Sequence, residues 1–134
     1  MFKETFDDYV CIDDTISTTV YGFVVRASIE RDGCRHIDDD DCHNTDQDIT
    51  GCNDAQQEKL LEARQAWFDD EWFYCGVVLS VYKNGVCLVD HAASLWGIEA
   101  NYPGSDNTYL TEVANDLLPE ALEEAKEVLK ALID

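Results

Sequence analysis

Basic residues are scarce in this chain: nine Lys and Arg stand against 29 Asp and Glu, a formal net charge of −20 over 134 residues. That is one uncompensated negative charge per ~7 residues, where a small soluble domain usually carries a net charge of roughly 2–8 in magnitude. The deficit excludes direct binding to DNA, RNA or anionic lipid, which are held mainly by Lys and Arg against phosphate. No stretch approaches the ~18 apolar residues of a membrane span. Met1-Phe2-Lys3-Glu4-Thr5-Phe6-Asp7-Asp8 has neither the basic start nor the apolar run of a secretory signal, which points to the cytoplasm. There is no Cys-x-x-Cys pair, no phosphate-cradling glycine loop and no nucleophile elbow, so the expectation is a protein that is not an enzyme and carries no cofactor.

A core is nonetheless available. Leu, Ile, Val and Phe total 34 residues, about a quarter of the chain, where disorder usually needs under ~20%. The length suits one domain, residues 1–134, able to bury roughly two thirds of the surface of its unfolded chain. Six cysteines, Cys11, Cys34, Cys42, Cys52, Cys75 and Cys87, read as reduced thiols without an export signal, and Cys75 and Cys87 lie in apolar runs as core residues.

From Thr18 to Glu30, Tyr21, Phe23, Val25, Ala27 and Ile29 alternate with Val20, Gly22, Val24, Arg26 and Ser28, the period of one strand. Asp32-Gly33 closes it, and residues 33–53 form a long polar insert. Asn53 or Asp54 then caps a helix bearing Leu60, Leu61, Arg64, Trp67 and Phe68, and Asp69-Asp70-Glu71 ends it, since acids suit the negative end of a helix dipole poorly.

Trp72 to Tyr82 and Val86 to Trp96 form a hairpin around Lys83-Asn84-Gly85. A two-residue Asn84-Gly85 loop pairs Lys83 with Val86 but puts Asp90 and Ser94 on the apolar face. A type I turn with a Gly85 bulge pairs Tyr82 with Val86, Val81 with Cys87, Leu79 with Val89, Val77 with His91, Cys75 with Ala93 and Phe73 with Leu95. The second register buries better and is the one expected. It leaves Trp72, Tyr74, Val78, Tyr82, Leu88 and Trp96 on the other face, to be covered by the first seventeen residues, with Phe2, Phe6, Tyr9, Val10 and Ile12, or used for self-association as a homodimer. A last helix starts near Asn107 or Thr108, with Leu110, Val113, Ala114, Leu117, Ala121, Ala125, Val128 and Leu132 as its stripe, and continues through Pro119 with a kink. The expected class is α+β: an antiparallel sheet of one strand plus a central hairpin, two helices packed on one face, and a long acidic insert containing Cys and His.

Three stretches, Trp72-Phe73-Tyr74-Cys75-Gly76-Val77-Val78, Ala93-Ser94-Leu95-Trp96-Gly97-Ile98-Glu99 and Tyr109-Leu110-Thr111-Glu112-Val113-Ala114-Asn115-Asp116-Leu117, together resemble small proteins encoded by bacteriophages and prophages. The resemblance covers roughly residues 64–125 and excludes the insert. That family has no assigned activity, so what it implies is a setting: a bacterial host cytoplasm, and counter-defence or host takeover.

The acids are patterned. Thirteen acidic and three basic residues lie between Asp32 and Glu71, including Asp38, Asp39, Asp40, Asp41, Asp46, Asp48, Asp69, Asp70 and Glu71. On the last helix Glu112, Asp116, Glu120, Glu123 and Glu127 recur at four, four, three and four, carboxylates ~6 Å apart along the axis. That spacing matches successive phosphates of a nucleic-acid strand, so such a row can occupy the basic groove of a nucleic-acid-binding protein. A solvated outer face of an amphipathic helix gives the same pattern.

The insert also holds Cys34, His36, Cys42, His43 and Cys52, enough for a tetrahedral zinc site, for a disulfide between two of the cysteines, or for neither. Asp46-Gln47-Asp48-Ile49-Thr50-Gly51 starts like a calcium loop but has Asn53 and Gln57 where a hydrophobic residue and a bidentate Glu belong. Cys87 and His91 share the core face in the expected register, too far apart for proton transfer. The sequence thus points to an acidic inhibitory binding protein that mimics nucleic-acid charge and blocks a bacterial defence complex of CRISPR or restriction type. The alternative is a small zinc-stabilised structural or regulatory protein.

Overall fold

Residues 73–83, Phe-Tyr-Cys-Gly-Val-Val-Leu-Ser-Val-Tyr-Lys, are apolar at nearly every position, the mark of a strand covered on both faces. They form an inner strand of the sheet. A computed structural model describes residues 1–33 and 54–133. Its elements are β1 (Thr15–Val20), β2 (Phe23–Arg31), α1 (Asp54–Phe68), β3 (Phe73–Lys83), β4 (Val86–Ala100) and α2 (Thr108–Ile133). The four strands form one antiparallel sheet in the order β1-β2-β3-β4, so the α+β class holds among the described residues.

Several expectations need correction. The single strand at 18–30 is a hairpin: Val20 pairs with Phe23 across Tyr21-Gly22, and both turn residues have positive φ, 53° and 81°. A tyrosine in that position gives no turn signal in sequence, because Asn, Asp or Gly normally occupies it.

The central hairpin takes the two-residue loop: Lys83 pairs with Val86, and Asn84 and Gly85 have φ of 53° and 79°. The conflict that argued against this register is removed by bulges. The pairs run Tyr82–Cys87, Val81–Val89, Leu79–Ala93, Val77–Leu95, Cys75–Ile98 and Phe73–Ala100, so β4 gains residues at three places and its 15 residues span the 11 of β3. His91 and Gly97, with φ of 57° and 75°, lie within the shifted stretches. Cys87 and His91 are consequently exposed rather than turned to the core, whereas Cys75 is buried as expected.

The two helices do not share a face. α2 lies over β4 and β3, where its Leu110, Ala114, Leu118, Ala121, Leu122 and Ala125 share one core with Val25, Ala27, Ile29, Val77, Leu79, Val81 and Ala93 of the sheet. Pro119 lies inside this single helix, as expected. α1 instead meets Trp72 and Tyr74, on the other side of β3, through Ala66 and Trp67. Trp72 is fully buried, stacks edge-on against Tyr74 and Tyr102, and donates its indole N–H to the Ala63 carbonyl at 2.7 Å. Alanines 63 and 66 therefore form the inner side of α1, while Leu61 and Phe68 of the expected stripe are exposed. α1 ends as the acidic triplet suggested, in a Schellman arrangement: Asp70 is left-handed at φ 60°, its N–H bonds the Trp67 carbonyl, and the Glu71 N–H bonds that of Ala66.

The N-terminal segment joins the main core beside α2 and leaves the aromatic face to other residues. Phe2, Phe6 and Val10, four apart, are buried. Their N–H groups donate to Asn115 Oδ1, Thr111 Oγ1 and Asn101 Oδ1 at 2.8, 2.9 and 2.8 Å. Of the aromatic face, Trp72, Tyr74 and Val78 are buried and Trp96 keeps 44% exposure.

Candidate partner-binding surface

α2 carries the acidic row because its other side is spent on the sheet. Each of Glu112, Asp116, Glu120, Glu123 and Glu127 is exposed, alternating around the buried positions 110, 114, 118, 121 and 125. The strap of residues 2–10 fixes the first half of the helix through Thr111 and Asn115, so the carboxylates stand on a rigid support. Lys126 enters the row, its Nζ 3.6 Å from Glu123 Oε1. At the helix start, the Thr108 hydroxyl and N–H both donate to Asp106, which holds that carboxyl below its ordinary range.

Asp69, Asp70 and Glu71 are also exposed, at the end of α1. The structure does not bring them to the α2 row, because the two helices lie on opposite faces of the sheet. Asp38, Asp39, Asp40, Asp41, Asp46 and Asp48 lie outside the described residues, as do Cys34, His36, Cys42, His43 and Cys52 of the zinc expectation and the calcium-like loop. Among the described residues no group of three or more His, Cys, Asp or Glu is arranged to hold a metal. His91 contacts Glu30 through Nε2 at 3.3 Å and Asp90 through Nδ1 at 3.6 Å, on the open sheet surface.

Sequence reasoning missed a second feature beside the row. Where the Tyr21-Gly22 turn meets α2, a groove of about 330 Å³ is lined by Met1, Val20, Tyr21, Leu118, Pro119, Leu122, Glu123 and Lys126. The sequence signal for it was present but weak: two short runs, 15–20 and 23–31, each of strand length, separated by a dipeptide ending in glycine.

Comparison of the chain with protein-family models, curated proteins and solved structures finds no match. No helix among the described residues is long and apolar enough to cross a membrane.

Proposed function

We propose that this chain is an inhibitory binding protein whose carboxylates stand in for nucleic-acid phosphates and block a basic, nucleic-acid-binding complex of a bacterial host. The observation that carries the reading is the row Glu112, Asp116, Glu120, Glu123 and Glu127, all exposed on one rigidly supported helix. Successive carboxylates ~6 Å apart along the axis can meet the Lys and Arg of a groove shaped for a phosphate backbone. The net charge of −20 adds long-range attraction towards such a groove and repels nucleic acid itself. The resemblance to phage-encoded proteins supplies the setting, in which the natural targets are CRISPR effectors and restriction enzymes. Asp69, Asp70 and Glu71, on the opposite face of the sheet, are on this reading a second contact with the same partner.

The test is competition. Labelled duplex DNA is displaced from purified restriction and CRISPR effector complexes by the protein across a series of salt concentrations. Potency should fall steeply as salt rises. Reversal of Glu112, Asp116 and Glu120 to Lys should abolish displacement, and a parallel reversal of Asp38 to Asp41 reports the contribution of the insert. Displacement that ignores both salt and the α2 reversal overturns the reading.

A further inference from the structure

Tyr21 occupies a position that its side chain disfavours. At φ 53° it is the first central residue of a two-residue hairpin turn, where a bulky residue is an outlier and Asn, Asp or Gly is the ordinary choice. Its ring is not used for burial, since Tyr21 is 77% exposed. Strain kept without a packing return points to a use at the surface.

The surroundings indicate what that use is. The exposed Tyr21 lines the groove together with Leu118 and Leu122, both buried, and with Val20 and Pro119. The groove already holds a cation: Lys126 Nζ lies 5.3 Å from the Tyr21 ring centroid and 3.6 Å from Glu123. An aromatic face and a carboxylate thus converge on one positive charge next to an apolar depression. An arginine makes the same two contacts more strongly, because its planar guanidinium stacks on the ring and can pair bidentately with the carboxylate.

We infer that this groove is an anchoring site for a basic segment of the partner, taking an aliphatic side chain between Tyr21, Leu118 and Leu122 while a neighbouring arginine replaces Lys126 over Tyr21 and Glu123. The inference rests on the charge-mimicry reading and deepens it: the acidic row attracts and aligns a basic surface, and the groove selects the segment that carries an apolar residue beside its charges. Steering by charge and selection by an apolar anchor are separable contributions to binding.

The probe is a short arginine-rich peptide with one central leucine, compared with the same peptide carrying serine there, titrated into the full chain by calorimetry and by the NMR signals of Tyr21, Leu118 and Leu122. Burying the leucine should make that peptide bind on the order of tenfold more tightly than the serine peptide. With Tyr21→Asn the ratio should fall to near one. Asparagine suits the left-handed turn, so this variant should melt no lower than the parent, and a lost ratio then reports the ring and not the fold. A ratio near one in the parent chain, or an unchanged ratio in Tyr21→Asn, overturns the proposal. Duplex competition with the Glu112, Asp116 and Glu120 reversals tests the charge-mimicry reading separately, since it does not depend on the leucine-to-serine ratio.

Discussion

Trp96 lies across Gly76, so that a Cβ added to the glycine would stand 2.3 Å from Cε3 of the indole. The register shift between Cys75 and Val77 sets Trp96 and Gly97 opposite this glycine, and Gly97 has a positive φ of 75°. Asp32 fastens the spot, donating its N–H to the Tyr74 carbonyl at 2.9 Å and accepting the Gly97 N–H through Oδ2 at 3.0 Å. β2, β3 and the β4 bulge are thereby held together at the end of the sheet where α1 packs.

Gly76→Ala should therefore displace the indole, with an overpacking cost of about 1–3 kcal/mol in urea denaturation. Trp96 is already partly exposed, so the relief route is outward and its fluorescence should shift to the red. Combining Gly76→Ala with Trp96→Ala should cost less than the sum of the two single changes, because the clash is shared.

Asn107 is fully buried with φ 63° and lies at the centre of a polar network. Its amide donates to Asn101 Oδ1 at 2.9 Å and to the Asp8 carbonyl at 3.0 Å, and its Oδ1 accepts the Asn101 N–H at 2.9 Å. Asn101 in turn exchanges two bonds with the backbone of Val10. Asn107→Ala strands several of these groups and keeps an unfavourable φ, and should cost about 3 kcal/mol. Hydrogen exchange should show the amides of Phe6 and Val10 losing protection before those of β3.

Burial, with a smaller contribution from the charge of Asp32, pushes the Cys75 thiol from 9.0 up to about 12. Cys11 and Cys87 are exposed. Alkylation at mildly alkaline pH, mapped by peptide mass, should label Cys11 and Cys87 and spare Cys75 until the protein unfolds. Because the folded chain holds this proton more tightly than the unfolded chain, its contribution to stability is complete below pH 9.0 and is lost as pH rises towards about 12.

The acidic row works against the helix that bears it. Glu112–Asp116 and Asp116–Glu120 are like-charged neighbours at a spacing of four, each destabilising by roughly 0.2–0.5 kcal/mol. Asp116→Asn with Glu120→Gln should raise the melting temperature at low salt, and the gain should shrink as salt is added. The same variant should compete less well with DNA. Higher stability with weaker competition is the pattern of a surface kept for binding.

The α2 helix was legible because an apolar stripe at three and four residues, a start near Asn107 and acids on the opposite side agree with one another. The end of α1 was legible for a similar reason, since three acids in sequence fit nowhere else on that helix. The β1–β2 turn was only faintly legible, because Tyr21 continues the alternation of apolar residues and Gly22 alone marks the reversal that the Val20–Phe23 pair shows. The groove beside it was hidden with it.

Sequence alone determined the acidity, the α+β class and the carboxylate spacing of α2, because these follow from composition and local periodicity. Tertiary structure decided the pairing of β3 with β4, the separation of the helices to opposite faces, the docking of Phe2, Phe6 and Val10 beside α2, and the meeting of Tyr21 with Leu118 and Leu122. Bulges at β4 change which side chains face the core without leaving a periodic trace, and contacts between distant segments are settled by which buried surfaces and hydrogen-bond partners fit together.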